Sequence, residues 1–174
     1  MKFLQSHPVY TLLLLLLILL LGWVLWGNSA LVCAPYPIAS PKLPQAFDGF
    51  RIVQVSDFHN TRFGAGNRRL LAMLEDARPD MVAITGDMID SRQTDIEVTV
   101  RFAREAVKIA PVYYAPGNHE SRLPEDYASL KAALSQMGVT VLENESVPLE
   151  KDGQLLTVTG LTDPDFGIPW PDLS

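Results

Sequence analysis

Beyond residue 50 the chain alternates short apolar runs with segments whose apolar residues return every three or four positions. The runs Arg51–Val55, Met81–Thr85 and Val112–Ala115 read as strands. Between them, Leu70, Leu71, Leu74 and Ala77 share one face of a helix that Asn67 caps and Pro79 ends. Ile96, Val100, Ala103, Val107 and Ala110 mark a second helix, closed by Pro111. A third starts at Pro124, presents Tyr127, Leu130, Leu134 and Met137 on one side, and stops at Gly138. Val139–Leu142 and Leu155–Leu161 are further strand-like runs, and Lys151–Gln154 reads as a hairpin turn. This alternation predicts an α/β fold with a βαβαβ start and a parallel sheet, becoming more β-rich from Asn144 onward.

The N-terminal pattern is different. From Val9 to Trp26 no residue is charged, and Leu12 to Leu21 is unbroken Leu and Ile. As a helix this stretch spans roughly 27 Å, enough to cross a hydrocarbon core. Tyr10, Trp23 and Trp26 stand near its ends, where aromatic rings favour the headgroup level. The run is longer than the apolar core of an ordinary signal peptide, which favours an uncleaved anchor, although Val32–Ala34 offers a small-residue cleavage site. Lys2 favours a cytoplasmic N-terminus and hence an extracytoplasmic domain. The expected organisation is a short tail over 1–8, a single-pass anchor over 9–26, a linker over 27–49 and a domain over 50–174. Pro35, Pro37, Pro41 and Pro44 make the linker extended and semi-rigid.

Charge and cysteine usage narrow the partners. Fourteen Lys and Arg against 20 Asp and Glu give a net charge of −6, so no nucleic-acid partner is expected. Cys33 is the one cysteine, which rules out an intramolecular disulfide. Arg62, Arg68 and Arg69 near the first helix read as a solvated face.

Candidate chemistry sits directly behind the three strands. Asp57 and His59 follow the first, Gly86 and Asp87 the second, and Gly117-Asn118-His119-Glu120 the third. The intervals from Asp57 to Asp87 and from Asp87 to Asn118 are 30 and 31 residues, about one strand–helix unit. Such a repeat brings the motifs to the carboxyl edge of one sheet, where α/β proteins bind ligands. Two aspartates, two histidines and an asparagine gathered there suit a metal. In extended backbone Asp57 and His59 would point to one side. Asp87, with two oxygens, suits a bridging position, and Asp90 suits a cap or an orienting partner.

Together, Asp57-x-His59, Gly86-Asp87-x-x-Asp90 and Gly117-Asn118-His119-Glu120 resemble the calcineurin-like metallophosphoesterase superfamily. Val55–Asn60 and Tyr114–Glu120 look most like its membrane-associated bacterial branch, which includes hydrolases of phosphodiester or pyrophosphate bonds in lipid precursors. The resemblance runs from about Phe50 to Pro164 and implies an αββα sandwich. It implies two divalent cations (manganese, iron or zinc), with Asp57 and His59 on the first, Asp87 bridging and Asn118 on the second. His119 would stand beside the leaving group, and Glu120 would orient its neighbours rather than bind metal.

This chain departs from that pattern in one respect. The superfamily carries two histidine motifs farther downstream, whereas His7, His59 and His119 are the three histidines here. The resemblance therefore implies the N-terminal half of the sandwich and a weakened second metal. Two functions are expected: a phosphoester hydrolase on a dinuclear centre, or a catalytically impaired, membrane-tethered fragment.

Overall fold

A computed structural model describes residues 8–172. The tail expected over residues 1–8, with Lys2 and His7, lies outside the described residues apart from Pro8. The chain divides into two units, the first ending at Pro35 and the second beginning at Tyr36.

Helix α1 (Pro8–Ser29) belongs to the first unit. Its stretch Pro8–Gly27 is long and apolar enough to cross a membrane, and none of it is buried. Apolar side chains surround it rather than forming one stripe, as a lipid-facing helix requires.

In the second unit packing begins ahead of Phe50. Phe47 is buried in a short 3-10 turn, its ring 5.3 Å from that of Phe50, and the Ala46 N–H donates to Gln154. The main sheet contains β1 (Ile52–Val55), β2 (Met81–Thr85), β3 (Val112–Ala115) and β4 (Thr140–Val141), in that spatial order and all parallel. Helices α2 (Arg68–Ala77), α3 (Ile96–Ile109) and α5 (Pro124–Gln136) supply the crossovers, and α4 (Asn118–Ser121) is a single turn behind β3. The register aligns Val55, Ile84, Tyr114 and Val141 across the sheet. With Val82 and Val112 they meet Leu74, Phe102, Ala103, Ala106, Leu130 and Leu134 in one core. The opposite sheet face carries exposed Gln54 and Thr85, joined by a 2.8 Å hydrogen bond.

Strands β5 (Glu145–Lys151) and β6 (Gln154–Gly160) pair antiparallel as a separate sheet, and β6 touches β3. Asp152 and Gly153 between them both have positive φ (49° and 75°), the geometry a two-residue turn needs to match strand twist. The α/β class, the parallel βαβαβ start and the hairpin agree with the hydrophobic pattern.

Two local expectations fail. Asn67 does not cap α2: its backbone is left-handed (φ 58°), and its amide oxygen instead accepts the Phe63 N–H at 2.7 Å. The buried face of α3 is also wider than the stripe from Ile96 to Ala110. It adds Val98, Thr99, Phe102 and Ala106, because the helix is pressed on by both α2 and α5.

A polar trio ties α5 to the end of β4. The Tyr127 hydroxyl donates to Glu143 at 2.6 Å, and Lys131 donates to the other oxygen of the same carboxylate. Burial pushes the Glu143 pKa up, but the bonds from Lys131 and Tyr127 outweigh it and hold the carboxyl below its ordinary range. Since the folded value lies below the unfolded one, the contribution is complete above the ordinary glutamate pKa. It is lost as pH falls through the depressed value. The Tm difference between wild type and Glu143→Gln is therefore expected to be constant near neutrality and to shrink below about pH 4.5. Thermal melts across pH check this.

Candidate metal centre

The three motifs do converge at the carboxyl edge of β1, β2 and β3. One donor atom each from His59, Asp87 and His119 lies within 4.8 Å of the others. The two imidazole rings meet edge to face, with centroids 4.4 Å apart. Asp57 adjoins this group, its Oδ1 standing 3.8 Å from His59 Nε2, and its side chain is 67% exposed. Asn118 is half-buried and opens α4 directly before His119, its carbonyl accepting the Ser121 hydroxyl.

Asp57 and His59 come together by a different route from alternation along a strand. β1 ends at Val55, and Asp57, His59 and Asn60 are left-handed (φ 53°, 46° and 53°). Short polar residues tolerate this region because their side chains hydrogen-bond locally. The turn is held by main-chain bonds to the neighbouring loop, from Asp57 N to Gly86 O, His59 N to Asp87 O and Asn60 N to Met88 O. Phe58, between the two polar residues, points into the core at 2% exposure and stacks on Phe102 at 5.1 Å. An aromatic flanked by two polar candidates is the sequence signal for this anchor.

Asp87 is also left-handed (φ 53°), and its Oδ1 accepts the His119 N–H at 2.9 Å. The loops carrying Asp87 and His119 nearly touch through two glycines. A Cβ at Gly86 would lie 2.7 Å from Gly117 Cα, and one at Gly117 would lie 2.4 Å from Asp87 Oδ1.

His119 Nδ1 accepts the Ser91 N–H at 2.9 Å. A neutral ring so placed carries its proton on Nε2. Ser91 contributes through its backbone, so nothing in residue type announces it. Asp90 stands 3.8 Å from His119 Nδ1 and caps Arg92 N–H, which lowers its pKa; desolvation opposes this, and His119 and His59 lower it further. Glu120 is fully buried, and its carboxylate accepts from four backbone N–H groups, those of Asp87, Met88, Ile89 and Gly117. Beneath it, burial first and the Glu120 charge second push the Tyr114 phenol well above its ordinary pKa. That hydroxyl has no hydrogen-bond partner among the described residues.

Of the arginines, Arg62 pairs with Asp95 at 2.6 Å while staying 69% exposed, and Arg68 donates to Ala65 O. The Arg62 pair bridges the first two loops, and Asn60 does the same by donating to Gln93 O.

The donor set fits a cation. His59 Nδ1 is buried with no hydrogen-bond partner among the described residues, and imidazoles grouped with a carboxylate are the ligands that manganese, iron and zinc share.

Fold and donor set together define an α/β protein that gathers metal-ligating side chains at its sheet's carboxyl edge. Residues 50–170 match the calcineurin-like phosphoesterase family, and the chain belongs to it. It is 27% identical over 127 residues to a transmembrane protein with metallophosphoesterase domain from Danio rerio, covering 70% of this chain and 29% of that one. It is 27% identical over 144 residues to the uncharacterized metallophosphoesterase YkuE of Bacillus subtilis, covering 77% of this chain and 48% of the relative. The chain thus spans less than half the length of these relatives. Among solved structures it is similar to a phosphopantetheinyl hydrolase from Mycobacterium tuberculosis, with 19% identity and a TM-score of 0.47. That match covers 63% of this chain and 41% of the other.

Proposed function

We propose that the second unit is a metal-dependent hydrolase of phosphoester bonds, held at a membrane by α1. The observation that carries this reading is the convergence of His59, Asp87 and His119 donors within 4.8 Å. Asp57 and His59 would hold a first cation, Asp87 would serve both, and Asn118 would offer its amide oxygen to the second. Bound divalent cations supply neutralisation of the phosphoryl oxygens and a water of lowered pKa. His119, its Nδ1 engaged by Ser91 N–H, would present Nε2–H as a hydrogen-bond donor that stabilises the charge developing on the leaving oxygen. The substrates are phosphodiester or pyrophosphate compounds, lipid-linked ones included, since an anchored enzyme meets such molecules at the bilayer. The domain faces the extracytoplasmic side.

Hydrolysis of bis(p-nitrophenyl) phosphate by the purified chain, with Mn2+ and with a chelator, tests the hydrolase. Turnover that needs Mn2+ supports it. Tight Mn2+ binding without turnover overturns the hydrolase, and turnover indifferent to the chelator overturns the metal-dependent reading.

A further inference from the structure

We propose that Glu120 is a positioning residue that sets metal affinity by fixing the separation between the Asp87 loop and the turn carrying Asn118 and His119. This rests on the metal-centre reading above. Burying a carboxylate is unfavourable unless its oxygens are satisfied. Here Oε1 accepts from Met88 N (2.7 Å) and Ile89 N (3.2 Å), and Oε2 from Asp87 N (2.9 Å) and Gly117 N (2.8 Å). Those four bonds use about the full acceptor capacity of a carboxylate.

The donors divide between two loops far apart in sequence. Three belong to Asp87 and the two residues after it, and the fourth belongs to the glycine before Asn118. Had Glu120 served only to cap α4, the Gly117 bond would suffice. Its reach across to residues 87–89 makes it a strut between ligand-bearing segments. The Asp87 carboxylate returns the connection by accepting the His119 N–H, so a shift of one loop is felt by the other. Any widening of the gap moves Asp87 relative to both histidines.

Glutamine is nearly isosteric but places an NH2 donor against two N–H donors. Glu120→Gln must therefore open one side of the strut. The test is a Mn2+ titration of the full chain in detergent, reading free Mn2+ by electron paramagnetic resonance, with thermal melts alongside. Val139→Ala is the matched control, because Val139 is buried just ahead of β4, at the opposite end of the sheet.

Glu120→Gln is expected to weaken Mn2+ binding about 10- to 100-fold. Val139→Ala is expected to lower the Tm yet leave Mn2+ binding unchanged. Folded Glu120→Gln with wild-type affinity overturns the proposal. If that variant fails to fold, Glu120→Asp, which withdraws the carboxylate by one methylene, is judged by the same criterion. Absence of Mn2+ binding by the wild type overturns the metal centre itself, and the proposal with it.

Discussion

Gly117→Ala is expected to weaken Mn2+ binding about 100-fold and to destabilise the domain by about 1–3 kcal/mol. The new methyl would lie 2.4 Å from Asp87 Oδ1 and 2.7 Å from Asp87 N, distances at which something must move. Asp87 has little freedom to yield, because its N–H is bound by Glu120 and its Oδ1 by His119 N–H. Gly117 has φ −101°, so the effect is steric and not a matter of backbone region. Serine at the same position should be at least as damaging, since it adds an oxygen to the same space. Mn2+ titration and a thermal melt read both parts of the effect. An alanine variant that binds Mn2+ as tightly as wild type would show that the two loops approach less closely than their glycines suggest.

His119→Ala is expected to lower metal-dependent turnover by about 10²–10³, the range for losing one positioned hydrogen-bond donor to developing charge. The affinity for Mn2+ should fall far less. Nδ1 is occupied by the Ser91 N–H, which leaves Nε2 to serve either a leaving oxygen or a cation. Those roles separate experimentally. A variant whose turnover recovers fully in excess Mn2+ has lost a ligand; one that stays slow at saturation has lost the hydrogen-bond donor to the leaving oxygen.

The regular elements were legible because their periodicity survives packing. Leu70, Leu71, Leu74 and Ala77 predict α2 correctly, and Lys151–Gln154 predicts the hairpin. That His59, Asp87 and His119 come together was legible as well, since a repeat of one strand and one helix leaves their loops adjacent. What escaped was geometry decided by contacts between those loops. Asp57 and His59 leave the extended region because their N–H groups bind Gly86 and Asp87 carbonyls. Asn67 abandons the capping position to bind Phe63 N–H. Ser91 contacts His119 through its backbone, which any residue but proline could provide. No pattern of residue types encodes those choices.

The run of left-handed residues at positions 57, 59, 60 and 87 restricts how this rim can change over time. Valine, isoleucine and threonine resist that backbone region, so their codons are closed to these sites even where the side chain carries no ligand. Asn60 illustrates the point. Drift at that site should favour glycine, aspartate, asparagine and histidine, and a saturation library would recover a narrow alphabet there while the exposed positions of α3 accept a wide one.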